Sequence, residues 1–210
     1  MSNKPMLDTN RQKKNKNHLK PISGQGSALR ERVSHRRDFL AEPKAAKKAF
    51  PLIKVQEDLT ACLIEGSSIV FKFYYEAEIE GTLPNNGKII TQINIADIVG
   101  ALTMKGLVLP RLIDKDSYDI YAISGFYGGN PNKASESYAN HVKKAKLTVR
   151  EKSIIQFSMS RINQAFRSID SYGVFAVSRF AGTNVDSDVY LRVSTFLKNV
   201  SSVLFANNAH

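Results

Sequence analysis

Thirteen lysines and arginines fall within the first fifty residues, against four acids (Asp8, Glu31, Asp38 and Glu42). The chemistry open to such a segment is neutralisation of a polyanion, because each cation that meets a phosphate releases a condensed counterion. The other 160 residues hold seventeen cations against fifteen acids, so of a net charge of +11 the first fifty residues carry +9 and the rest +2. Charge this segregated points to a phosphate-rich partner met by the basic stretch. The side chains expected to carry the contact are Arg11, Lys13, Lys14, Lys16, Lys20, Arg30, Arg32, Arg36, Arg37, Lys44, Lys47 and Lys48. Lys and Arg on backbone oxygens read no base sequence, so the binding is expected to be non-specific.

Elsewhere the residue types of catalysis are sparse. Gly81 to Lys88 superficially resembles a phosphate-binding loop, but five residues separate the glycines, and Ile89 stands where a Ser or Thr should hold magnesium. Four histidines are present (His18, His35, His141, His210), no two at metal-ligand spacing, and the single Cys62 excludes an internal disulfide or a multi-thiolate site. His141 lies among Lys143, Lys144 and Lys146 and reads as a solvated surface residue. Glu76, Glu78 and Glu80 recur with period two, a polar strand face able to meet a neighbouring subunit's cations. No catalytic residue, metal site or cofactor is expected, and the chain does not read as an enzyme. No apolar run is long enough to span a membrane, and no signal-like stretch follows Met1.

Two parts must position these groups. Residues 1–50 read as a basic, largely disordered arm, since residues 10–26 lack the apolar surface to offset their ordering entropy. Leu29, Val33 and Leu40 have roughly helical spacing after a cap at Ser27, ending before Pro43. Residues 51–210 read as one β-rich domain. Alternation from Ser68 to Glu80, turn chemistry at Pro84-Asn85-Asn86-Gly87 and a second strand from Lys88 to Ile95 predict a hairpin. Further strands are predicted at Gly106–Pro110, Tyr118–Tyr127, Leu147–Val149, Ser153–Met159 (Ile155, Phe157 and Met159 on one face), Gly173–Ala181 and Val189–Leu197. Helical turns are predicted at Ile95–Met104 with Asn94 as cap, within Ala134–Lys146 and Arg161–Ile169, and after Asn199. The expected fold is mainly β, an antiparallel jelly-roll-like β-sandwich with short helices in its connections.

The basic run Arg11-Gln12-Lys13-Lys14-Asn15-Lys16, the arginines from Arg30 to Arg37 and the alternating strands together make the chain similar to small coat proteins of plant positive-strand RNA viruses. In size and in its Lys/Arg-rich amino terminus it looks most like an ourmiavirus coat protein. The resemblance implies a jelly-roll shell, arms turned inward onto single-stranded genomic RNA, self-assembly into a homo-oligomeric capsid, and residence in the virion and host cytoplasm. It implies neither a small-molecule substrate nor a membrane partner, and the basic run also reads as a nuclear-import signal. A viral matrix protein and a cellular RNA-binding protein without sequence preference are the alternatives. The former should float with liposomes, and the latter should stay monomeric in high salt.

Overall fold

The computed structural model describes residues 39–43, 52–57 and 59–204. It is a helical fold with two small sheets, which overturns the expected β-sandwich. β1 (Phe39–Ala41), β2 (Leu52–Gln56) and β3 (Leu59–Leu63) form one sheet in the order β1-β3-β2, with β1 parallel and β2 antiparallel to β3. A 3-10 helix at Ser67–Lys72 leads into the hairpin of β4 (Tyr74–Thr82) and β5 (Lys88–Ala96). Six α-helices follow: α1 (Ile98–Val108), α2 (Asp114–Phe126), α3 (Pro131–Lys144), α4 (Val149–Ala165), α5 (Tyr172–Ala181) and α6 (Asp186–Leu204).

The hairpin stands as read, with every pair from Tyr74↔Ala96 to Thr82↔Lys88 in register. Its turn closes through Leu83 N–H to the Gly87 carbonyl (2.7 Å) and Asn86 N–H to the Leu83 carbonyl (2.9 Å). Asn86 adopts φ 63°, a left-handed conformation that Asn tolerates better than most residues. The first strand is shorter than its alternation suggested, because Ser67–Lys72 coils before Phe73 turns inward to the core.

The remaining predicted strands are corrected to helix, except Leu147–Val149, which is the irregular lead-in and first residue of α4. Tyr118–Tyr127 belongs mostly to α2, Gly173–Ala181 to α5, and Val189–Leu197 to α6. Gly106–Pro110 is the end of α1 and a 3-10 turn, while Ser153–Met159 lies inside α4. Burial supplies the reason. In α6 the buried side chains are Val189, Val193, Phe196, Leu197 and Val200, a spacing of four, three, one and three, whereas Leu191 of the supposed alternation faces solvent. In α4 the buried set is Ile155, Met159 and Ile162 with Phe166 just beyond, and Phe157 points outward. β-branched and aromatic residues carry strand propensity, but it is a weak prior that packing overrides.

The helical readings do better on place than on boundary. The expected Ile95–Met104 segment becomes α1, capped by Asp97, not Asn94: the Asp97 carboxylate accepts from Val99 N–H (2.8 Å) and Gly100 N–H (2.9 Å). α3 starts at the Asn130 cap with Pro131 in its first turn, where a missing N–H costs nothing. α4 opens on a capping box, Thr148 and Glu151 each answering the other's backbone N–H. Phe39–Ala41 is strand, not the end of a helix, and Ile64 N–H bonds to the Ala41 carbonyl at 3.0 Å.

The core gathers Val99 and Leu102 of α1, Ile120 of α2, Tyr138 of α3, Ile155 and Ile162 of α4, Val174 and Val177 of α5, and Val193 and Phe196 of α6. α1 and α4 cross closely at Gly106, where a Cβ would lie 2.2 Å from Ser158 Oγ; that hydroxyl donates to the Thr103 carbonyl at 2.8 Å. Polar ties lock the helices in pairs. Tyr121 of α2 donates to Asp188 of α6, whose carboxylate also takes Arg192 Nε at 2.8 Å. Burial and the Asp188 carboxylate push the Tyr121 phenol up to about 12. A raised folded-state value means that this tie stabilises the fold below the ordinary tyrosine range and is lost as pH climbs through about 12. The wild type should therefore lose stability between about pH 10 and 12 more steeply than Tyr121→Phe, as read from urea midpoints across that range; parallel curves would refute the tie.

Candidate nucleic-acid interface

All twelve cations expected to meet phosphate, Arg11, Lys13, Lys14, Lys16, Lys20, Arg30, Arg32, Arg36, Arg37, Lys44, Lys47 and Lys48, lie outside the described residues. What is described is the place where that stretch joins the body. Glu42 accepts from Gly66 N–H (2.8 Å), Ser68 N–H (2.9 Å) and Ser67 Oγ (3.4 Å), and pairs with Arg150 Nη2 (3.2 Å). Burial works to raise the Glu42 carboxyl, but the Ser68 and Gly66 N–H groups together with Arg150 hold it below the usual range. Glu42 thus caps the 3-10 helix at Ser67–Lys72 and staples β1 to the first turn of α4.

Beside this staple, the body carries its own basic corner, where α3 ends and α4 begins. Lys143, Lys144, Lys146, Arg150 and Lys152 are all exposed, against the one carboxylate of Glu151 between residues 141 and 152. Glu151 is already engaged: Lys72 Nζ donates to it at 2.7 Å, and with the Thr148 backbone N–H this holds its carboxyl down at about 2. Lys72 Nζ also reaches the Lys146 carbonyl at 2.9 Å, so the corner is braced from below. Among the described residues, Lys143, Lys144, Lys146 and Lys152 have no ion-pair partner. They are cations left over after the body's internal pairing.

His141 was expected to be solvated. Instead its ring leans back on the cap of α1, with Nδ1 3.0 Å from Asp97 Oδ2, within ion-pair reach but without hydrogen-bond geometry. Cys62 sits partly buried in β3 against Ile64, Leu107 and Val108. Among the described residues no group of three His, Cys, Asp or Glu side chains is arranged to hold a metal ion. No described helix is long and apolar enough to cross a membrane.

From the corner, α4 carries a stripe away from the core. Arg150, Ser153, Phe157, Arg161 and Gln164 recur every three or four residues and so share one face. From Arg150 to Gln164 the stripe runs about 21 Å along α4. At its middle the Arg161 guanidinium lies 4.1 Å from the centroid of the Phe157 ring, which remains 53% exposed. Arg161 also donates to the Leu107 carbonyl at 2.8 Å, which fixes its plane. An open ring stacked on a held guanidinium is a surface on which a base can stack without sequence preference.

The stripe ends in a groove of about 600 Å³ lined by Leu109, Pro110, Leu112, Arg161, Arg167 and Tyr172. Behind it, Arg179 grips Asp114 with two bonds (2.9 and 2.8 Å) and covers the Tyr172 ring at 5.7 Å. The Arg179 contact, somewhat offset by desolvation, holds the Asp114 carboxyl below its usual range. Sequence reasoning missed this track, because Phe157 was placed on one strand face with Ile155 and Met159, which are buried in α4 while Phe157 is exposed. The lysines around His141 were the available signal.

Comparison with protein-family models, with curated proteins and with solved structures returns no significant match, so class and function rest on the arrangement described above.

Proposed function

We propose that this chain is a nucleic-acid-packaging structural protein: a coat protein that self-assembles and condenses single-stranded genomic RNA, built on a helical body. The observation that carries the reading is the sorting of charge. The body closes its buried ion pairs internally, four of the lysines without an ion-pair partner among the described residues collect at the α3–α4 corner, and a further net +9 lies in the first fifty residues. The jelly-roll half of the coat-protein resemblance falls with the corrected fold. What supports packaging is the charge pattern, together with exposed large apolar side chains on the hairpin and helices that suit contacts between copies. On this reading the protein acts in the virion and in the host cytoplasm where the particle is put together.

The test is the salt dependence of binding to an unstructured RNA oligomer. If all nine net charges of residues 1–50 met single-stranded phosphate, the log–log slope would reach roughly −6, from about −0.7 per phosphate. Removing residues 1–36 deletes nine cations and two acids while sparing β1 and Glu42. That truncation should flatten the slope by up to about 5 while the helical circular dichroism of the body persists. A full-length slope shallower than about −2 would overturn RNA packaging as the function.

A further inference from the structure

The groove of about 600 Å³ at the end of the α4 stripe is built from the turn after α1, the end of α4 and the start of α5. Its size falls within the roughly 300–1,000 Å³ of small-ligand clefts. Leu109, Pro110 and Leu112 give it an apolar lining, beside the Tyr172 ring. Leu112 stands in the left-handed region, φ 54°, and is 66% exposed, so a strained backbone holds an uncovered apolar side chain at the groove. The charged lining is Arg161 and Arg167 against the one carboxylate of Asp170. Among the described arginines, the ion pairs belong to Arg111, Arg150, Arg179 and Arg192, which leaves both guanidiniums of the groove without an acidic partner. Arg161 commits one of its five N–H donors to the Leu107 carbonyl (2.8 Å) and its flat face to the Phe157 ring. The rest of its edge is held ready for an acceptor with a forked pair of oxygens.

We infer that this groove seats one nucleotide of a bound strand, its phosphate on Arg161 and Arg167 and its base against Leu109, Leu112 and Tyr172. The lining selects the occupant. Two free guanidiniums suit any phosphate, and with Asp170 counted the groove still carries net +1. An apolar and aromatic lining beside them is of use only to a phosphate that brings a flat ring with it. Inorganic phosphate or a phosphorylated side chain would meet the arginines and leave Leu109, Leu112 and Tyr172 uncovered. Access agrees with this choice, because the α4 face that carries Arg150, Phe157 and Arg161 leads to the groove. Stacking and apolar contact accept every base, so the pocket holds a nucleotide without reading sequence. The inference rests on the packaging reading for the source of that nucleotide and names the pocket the strand enters.

The experiment titrates adenosine 5′-monophosphate into the full chain stripped of RNA and follows the methyl resonances of Leu109 and Leu112. Inorganic phosphate, phosphoserine and adenosine are the separate comparison probes. Both leucines are expected to shift and saturate with the nucleotide, at least about tenfold more tightly than with phosphate or phosphoserine, the contribution of one stacked base. Arg167→Gln alters an exposed side chain and leaves the fold in place. It should weaken nucleotide binding about tenfold, as a charge-assisted hydrogen bond is lost, and leave adenosine binding unchanged. Leucine methyls that do not move overturn the inference. Phosphate or phosphoserine binding as tight as the nucleotide's overturns it too, as does undiminished nucleotide binding by the Arg167 variant. An RNA oligomer bound with a steep salt slope that leaves both leucines unmoved sinks this inference and keeps packaging. A chain that seats the nucleotide but binds RNA with a slope shallower than about −2 sinks packaging and keeps the pocket.

Discussion

Asp116→Ala should destabilise the fold by about 3–5 kcal/mol, the range expected when one partner of a buried charge cluster is removed. Asp116 is buried, yet it receives Lys105 Nζ at 3.0 Å and Arg111 Nη2 at 2.8 Å, joining α1, the turn that follows it and α2. Lys105 keeps a second carboxylate, Asp119, at 2.6 Å. Burial pulls the Lys105 ammonium down, but the two aspartates outweigh it and hold it above its usual range. Arg111 has no second acid among the described residues, and its Nε already lacks a partner. Without Asp116 a half-buried guanidinium is left uncompensated. Asp116→Asn, which keeps one acceptor and the shape, should cost less. Urea unfolding gives the comparison, and a loss under about 1 kcal/mol for the alanine variant would show that the cluster relaxes into water.

Reversing the corner, with Lys143, Lys144, Lys146 and Lys152 all replaced by Glu, should reduce RNA affinity several hundredfold at 0.1 M salt. Four lost phosphate contacts remove about 2.8 from the log–log slope, so the deficit grows by that many decades between 1 M and 0.1 M. The four side chains are exposed and, among the described residues, have no ion-pair partner, so stability should change by no more than about 0.5 kcal/mol for each. Arg150 is left in place because Glu42 depends on it. Fluorescence anisotropy across a salt series reads both quantities. Affinity and slope within twofold of wild type would mean that the amino-terminal cations hold RNA alone and that the α4 track plays no part.

The hairpin was legible because its information is local: alternation on both sides of an Asn-Asn-Gly turn specifies register without help from the rest of the chain. α1 was legible from its apolar stripe at Ile98, Val99 and Leu102, although its cap is Asp97 and not the Asn94 read from the sequence. The helices read as strands failed where two periods coexist in one segment. Val189-Leu191-Val193 alternates, while Val189-Val193-Phe196-Val200 follows a helix, and only burial decides between them. Four helices misread in that way turned a bundle into a sandwich. Of the interface, the charge segregation was visible in composition, but the outward turn of Phe157 depends on the helical period of α4 and was lost with it.

The Glu42–Arg150 contact has one more consequence. It seats residue 42 on the first turn of α4, so on the packaging reading the two cationic regions would act as one tethered pair. However the 41 residues before residue 42 are arranged, their contour keeps them within about 140 Å of that seat. If the corner and the basic stretch both bind RNA as proposed, a strand caught at one would meet the other at a high effective concentration, and the affinity of the pair would exceed that of either part. Cutting the backbone just before β1 should abolish this avidity even with both fragments present in equal amounts.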